Sequence, residues 1–317
     1  MAGIREVAKA AGVSISTVSY ALNGSNKVSE TSRLRIQEIA KAMGYAPKMA
    51  ARTLKGNKTN IIGVYISGFQ GEFYGELLDG IQQQLEKRGY DMMVNSGNRT
   101  RKFLSEKLFD GAIVLDTKFF EDELYQILDN GSKIVVLDRE INHENAKSVL
   151  LDNQSGSKKA VKYLLSHNLE HYYIISGPPG SYDGEIRLQA AKETFTQAGV
   201  EFEVIEGDFT EQSGFHAAET IIPSSEGQKV GIYSLNDDGA IGFYRYARKL
   251  QIDLTSRFKL VGFDNNHSAD FLDPILPSIS YRKHLWGESA ADTLIDLLEN
   301  KEKVENKIIK THLSFRD

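Results

Sequence analysis

A chain of 317 residues exceeds what one hydrophobic core usually holds, so more than one folding unit is expected. With 41% apolar and 26% charged residues it has an ordinary globular make-up, and the lack of cysteine excludes disulfides, thiolate catalysis and thiolate-held metals within it. The net charge of -5 is unevenly spread: residues 1–57 carry nine Lys/Arg against Glu6, Glu30 and Glu38, a balance of +6 that leaves -11 for the rest, which suggests a polyanion partner for the leading segment alone, with a plain solvated face as the alternative.

The leading segment reads as short helices. Val7, Ala8 and Ala11 share one helical face before Gly12, and Val18 and Leu22 stand four apart in a Ser/Thr-rich second helix. Asn23-Gly24-Ser25-Asn26 reads as a loop, and Ser29 suits the N-cap of a third helix carrying Ile36, Ile39, Ala40 and Met43 up to Gly44. Pro47 and Gly56 bracket a further helix of about two turns, too short to be stable undocked. From about Ile61 short β-branched runs (61–66, 111–115, 133–137, 172–175 and 230–233) alternate with amphipathic stretches such as 73–88 and 190–198. Strands separated by helices predict parallel sheets covered on both faces, with ligands at the carboxyl ends of the strands. About ten strands exceed one compact sheet, so two lobes are expected.

Ala8, Gly12 and Val18 supply the small crossing residue, the turn glycine and the branched anchor that a helix-turn-helix needs, although a generic helical hairpin shares that pattern. The run Ile4-Arg5-Glu6-Val7-Ala8-Lys9-Ala10-Ala11-Gly12-Val13-Ser14-Ile15-Ser16-Thr17-Val18-Ser19, followed by Ala21-Leu22-Asn23, resembles the headpiece of the lac repressor/galactose repressor family. The likeness extends along the chain through Gly71 to Ile81, Leu151-Asp152-Asn153, Gly177-Pro178-Pro179, Arg187, Leu235-Asn236-Asp237 and Val261-Gly262-Phe263-Asp264.

The resemblance implies an all-α helix-turn-helix headpiece (1–45), a hinge helix and linker (46–58), and a two-lobed α/β core (59–317) like periplasmic binding proteins, with doubly wound parallel sheets. The N-lobe is expected at about 59–150 and 282–300, the C-lobe at about 151–281 and 301–317. It further implies base reading by Ile15, Ser16 and Tyr20, phosphate contacts from Ser14, Thr17, Ser19 and Asn23, and a minor-groove wedge at Leu54 beside Ala51. Tyr20 departs from the family's usual Arg or His and lacks the fork that grips guanine, so a different half-site is expected. Lys48 also departs, from a common Asn. Ser14 reads equally as a helix cap, and Ile15 as a core residue.

In the core the resemblance carries over Arg187, Asn236 and Asp264 as polar effector contacts and Phe73, Tyr74 and Tyr233 as aromatic walls, a mix that suits sugar hydroxyls and pyranose faces. The competing readings are a surface ion pair for Arg187, plain core for Phe73 and Tyr74, and an N-cap for Asp152. Residues 95–111 are shorter than the crossover normal in the family. The seven histidines show no metal-ligand spacing, and no phosphate loop or nucleophile elbow occurs, so no enzyme, metal or cofactor is expected.

The function implied is a sequence-specific repressor of sugar-utilisation genes, allosterically controlled by a small carbohydrate in the cleft. The expected assembly is a homodimer on a pseudo-palindromic operator. A carbon-catabolite regulator using a phosphocarrier protein as co-repressor, and a purine- or nucleoside-responsive repressor, are the alternatives. No apolar run approaches 18 residues and the first residues lack an apolar signal core, so a cytoplasmic, nucleoid-associated protein is expected.

Overall fold

In the computed structural model, residues 3–22, 25–45, 58–69 and 71–315 are described. Two compact units divide at Thr59/Asn60.

In the first unit, α1 (Ile4–Ala11), α2 (Ile15–Leu22) and α3 (Glu30–Ala42) follow one another along the chain. Gly12 closes α1 in the left-handed region at φ 66°, which lets Val13 N–H reach the carbonyl of Ala8 at 3.0 Å. Ser29 caps α3 by accepting from Ser32 N–H. Val7, Ala8, Ala11, Val18, Ala21, Ile36 and Ala40 form the core of this unit, with Val13, Leu22, Val28 and Met43 packed around it. Arg35 donates to the terminal carbonyl of α1, Ala11 O, at 2.7 Å, tying α3 to α1. The three residues of the helix-turn-helix pattern are thus all in use.

The second unit holds two six-stranded sheets. The first has the order β11-β5-β4-β3-β1-β2, built from β1 (Ile61–Ile66), β2 (Asp91–Ser96), β3 (Gly111–Leu115), β4 (Lys133–Val136), β5 (Ala146–Leu151) and β11 (Lys307–Ile309). The second has the order β12-β10-β9-β8-β6-β7, from β6 (His171–Ile175), β7 (Glu203–Ile205), β8 (Val230–Ser234), β9 (Phe258–Phe263), β10 (Ser278–Ser280) and β12 (His312–Ser314). All pairs are parallel except β10 with β12. Each sheet reverses its winding once, between β1 and β3 and between β6 and β8. A crevice opens at such a reversal outside the carboxyl ends of the strands.

Helices α4 (Phe73–Lys87), α6 (Glu121–Asp129) and α11 (Lys283–Leu298) belong to the N-lobe; α7 (Asn153–Leu165), α8 (Tyr182–Gln197), α9 (Glu211–Ser224) and α10 (Asp237–Lys249) belong to the C-lobe. The α4–α11 crossing is tight. A Cβ on Gly80 would stand 2.1 Å from the His284 carbonyl, and one on Gly287 would stand 2.2 Å from that of Leu77. The Trp286 indole, fully buried, donates to Val149 O at 2.7 Å and locks α11 to β5.

The chain crosses between lobes three times, after β5, after β10 and after β11. One boundary needs correction: residues 301–317 do not all join the C-lobe. Strand β11 pairs with β5 on the edge of the N-lobe sheet, and β12 alone enters the C-lobe sheet. The pairing places Ile309 in the apolar core, where a short loop-flanked segment finds its only large burial.

The shortened crossover between β2 and β3 folds as a 3-10 turn (Asn98–Thr100) followed by α5 (Lys102–Ser105). Arg101 between them is 2% exposed. Its guanidinium donates to Glu123 at 2.7 Å, to Asp116 at 3.3 Å and to the carbonyl of Lys118, and lies 4.5 Å over the Phe119 ring. One buried cation thus ties the short crossover to the residues that follow β3.

Candidate functional site: a nucleic-acid face and an interlobe cleft

Helix α2 sorts its residues by face. Val18 and Ala21 are fully buried, whereas Ile15, Ser16 and Tyr20 point outward, Ile15 being 41% and Tyr20 39% exposed. Ile15 is therefore not a core residue. Ser14 Oγ accepts from Thr17 N–H at 3.1 Å and lies 2.8 Å from Thr17 Oγ1, so this pair caps α2. Ser19 is half-buried on the same helix. Lys27, which the sequence reading passed over, holds its ammonium 5.1 Å over the Tyr20 ring. That contact brings a cation to the outward face. Asn23, Ala51 and Leu54, and with them the hinge helix, lie outside the described residues.

The core site is assembled at the two sheet reversals. From the C-lobe, Arg187 on the second turn of α8 is 3% exposed. Its Nε donates to Asn153 Oδ1 at 2.9 Å and its Nη1 to Leu235 O at 2.8 Å, while Nη2 is 3.5 Å from Asp264 Oδ1. The guanidinium plane also lies 3.6 Å over the Phe263 ring. A surface ion pair is thereby ruled out: this arginine is buried, and four elements of the lobe converge on it.

Asp264 adopts φ 98°, a left-handed conformation that a non-glycine residue holds only under constraint. The Tyr281 hydroxyl donates to its Oδ1 at 3.0 Å, so a strained backbone aims the carboxylate and a crossover tyrosine fixes it. Asn153 links Arg187 to Asp183, donating to Asp183 Oδ1 at 2.6 Å. Burial pushes the Asp183 carboxyl up to about 6, against the pull of Arg187 and Asn153 and with further push from Asp138 and Asp264.

The N-lobe contributes an aromatic pair. Phe73 and Tyr74 open α4, half-buried, their rings edge to face at 5.1 Å, and Phe73 leans on Trp286 at 6.2 Å. The Tyr74 hydroxyl is raised above its usual range by burial, and it hydrogen-bonds Ser67 at the end of β1 near Asp116 and Asp138. Asp116 follows β3 and accepts from Ser67 Oγ at 3.2 Å. Asp138, 2% exposed after β4, accepts two bonds from Arg139 at 2.9 and 3.0 Å. Phe73 and Tyr74 therefore combine core packing with a presence at the strand ends.

Two expected contacts need restating. Tyr233 is no aromatic wall: it is 0% exposed, with its hydroxyl 2.8 Å from Ser157 Oγ inside the C-lobe core. It sits on a central strand whose two faces are both covered, so its ring packs beneath the site. Asn236 caps α10, accepting from Gly239 N–H at 3.0 Å and donating to Phe209 O at 2.8 Å. Asp152 likewise caps α7 by accepting from Ser155 N–H. Asp183, Asn153, Asp138 and Tyr281 are the members that sequence reasoning missed. Asn153 stood in a noted motif, but nothing in the order of residues linked it to Arg187.

Among the described residues no cluster of metal-ligating side chains occurs, and no helix is long and apolar enough to cross a membrane. A helix-turn-helix unit joined in one chain to a two-lobed α/β core defines a DNA-binding transcriptional regulator. Comparison with known proteins agrees. The profile of bacterial regulatory proteins of the lacI family matches residues 3–48, and that of the periplasmic binding protein-like domain matches residues 161–317. A sugar-binding transcriptional regulator of the LacI family from Enterococcus faecalis is 38% identical, covering 82% of this chain and 97% of its own, with a TM-score of 0.77. The transcriptional regulator CelR in complex with cellobiose is 25% identical over 100% of this chain and 99% of its own, with a TM-score of 0.74. The transcriptional repressor PurR of Vibrio cholerae is 28% identical over 98% of this chain and 96% of its own. The chain belongs to the lacI family of bacterial regulatory proteins, whose members are transcriptional regulators and not enzymes.

Proposed function

We propose that this regulator is a homodimeric repressor of sugar-utilisation genes, acting on the chromosome in the cytoplasm and controlled by a small carbohydrate held between the lobes. The observations that carry the proposal are the cluster of Arg187, Asp264, Asn153 and Asp183 in the C-lobe and the Phe73–Tyr74 pair at the start of α4 in the N-lobe. Fixed carboxylates and amides match sugar hydroxyls, and aromatic faces match the C–H faces of a pyranose. Two of the similar proteins support the same class of ligand, one being described as sugar-binding and one bound to cellobiose. The PurR relatives motivate a purine as the competing effector.

On the DNA side, Ile15, Ser16 and Tyr20 read base edges. Ile15 offers only apolar contact, as with a thymine methyl, and Tyr20 a single hydroxyl. Ser14, Thr17, Ser19 and Asn23 set phosphate register, and Leu54 beside Ala51 wedges the minor groove. Effector binding changes the lobe angle and thereby operator affinity, which requires a ligand that binds the two states unequally.

Isothermal titration of mono- and disaccharides, with hypoxanthine and guanine in parallel, tests the effector class. A sugar that binds wild type and loses at least tenfold affinity in Arg187→Ala supports the proposal. Binding confined to the purine bases contradicts it.

A further inference from the structure

The chain enters its two-lobed core at Asn60, and both polar groups of that residue's backbone are held there. Asn60 N–H donates to Asp110 Oδ2 at 2.9 Å, and Asn60 O accepts from Asp91 N–H at 2.8 Å. Asp110 N–H in turn donates to Ile61 O at 2.9 Å, so the side chain and backbone of Asp110 grip two successive residues. Asp91 opens β2 and Asp110 directly precedes β3, the two strands that flank β1. Asn60 itself turns through the left-handed region at φ 57°, which asparagine tolerates and a β-branched residue does not.

Asp110 is placed from both sides. Phe109, 3% exposed, lies over Gly63 of β1, where a Cβ would stand 2.6 Å from its ring. Gly111 starts β3 so close to β4 that a Cβ there would stand 2.9 Å from Lys133 O. The end of the crossover is thus packed against β1 and β4, and its carboxylate reaches Asn60 from a fixed base.

Asn60 is the first residue of the core unit and the single covalent route to it from the helix-turn-helix unit. Only Asn57, Lys58 and Thr59 separate it from Gly56, the expected end of the hinge helix. A free pivot here would let two reading units sample many separations and angles, and each freed torsion adds to the cost of ordering them on DNA.

We infer that Asp110 is a positioning residue for operator binding: with Asn60 it forms a clamp that fixes how the linker leaves the core, and thereby the half-site spacing the regulator accepts. The inference rests on the homodimer and two half-sites proposed above. One base pair moves a half-site by about 3.4 Å and about a tenth of a turn, so a stiff junction discriminates between spacings and a loose one does not.

The test is fluorescence anisotropy of the full-length protein on the operator it selects from a random library. The same operator is measured with one base pair added or removed between the half-sites, and a single half-site is measured alongside. Wild type is expected to lose at least tenfold affinity when the spacing changes. Asp110→Ala, which removes the acceptor, and Asn60→Val, which cannot hold the left-handed turn, lose less than threefold on the same change. Both bind a single half-site as wild type does, a readout that general destabilisation would not spare. Asp110→Asn keeps an acceptor oxygen and restores the wild-type spacing preference. Should Asp110→Ala fail to fold, Asn60→Val carries the comparison. Variants that stay as strict about spacing as wild type, or that weaken equally on the single half-site, overturn the inference and leave the dimer reading intact. A wild type indifferent to spacing overturns the two-half-site reading and the inference with it.

Discussion

At the scale of single residues, the site was legible where a side chain's neighbours along the chain reveal its setting, and hidden where only the fold does. Arg187 and Asp264 lie in recognisable runs, and both converge on one buried cluster. Tyr233 misled because a central parallel strand is covered on both faces, so no alternation tells a cleft-facing ring from a core one. Asp183 was missed because Ser181-Tyr182-Asp183-Gly184 reads only as a helix start, which it also is. Two predictions belong at this scale. Replacing Tyr20 by Arg supplies the bidentate fork that grips guanine O6 and N7, so operator selection from a random library should gain a guanine in each half-site, worth about 1–3 kcal/mol of discrimination. Asp238 provides the second. Its carboxyl is raised to about 6, first by burial and then by Asp264, so the folded state binds more protons than the unfolded chain between about pH 4 and 6, and stability falls as pH rises through that window. Asp238→Asn, which cannot ionise, should melt higher than wild type at pH 7.5 and lose that advantage at pH 5.

Among the elements, the helices of the first unit and the central strands were readable from periodicity, and the edges were not. Strand β7 spans three residues and β11 another three, too short for any alternation to register, and β11 lies on the N-lobe sheet because Ile309 finds burial beside β5. The β2–β3 crossover is anchored by Arg101 through a buried ion pair and a cation–π contact. Arg101→Met should test that anchor, leaving Asp116 without its cationic partner inside the lobe and lowering stability by about 3–5 kcal/mol in urea unfolding. The α4–α11 crossing gives a sharper case. Gly80→Ala places a methyl 2.1 Å from a backbone carbonyl that cannot swing away, so the helices must separate, at about 1–3 kcal/mol. A Gly80→Ala protein as stable as wild type would mean that the helices are not held at this distance.

At the scale of the whole molecule, one chain carries a helix-turn-helix whose second helix turns Ile15, Ser16 and Tyr20 outward and a core whose polar cluster is built in the C-lobe. The N-lobe supplies aromatic rings on α4 and the C-lobe supplies a fixed, strained carboxylate, so a ligand touching both biases their relative angle. Membership of the lacI family makes the chain a DNA-binding regulator, and control through the cleft is the proposed addition. The most direct measurement is operator affinity of the full-length protein, by fluorescence anisotropy on its selected operator, with and without the sugar that binds the cleft. The proposed coupling predicts a change of at least tenfold in Kd for wild type and less than twofold for Arg187→Ala. A saturating cleft ligand that leaves wild-type operator affinity unchanged would contradict it.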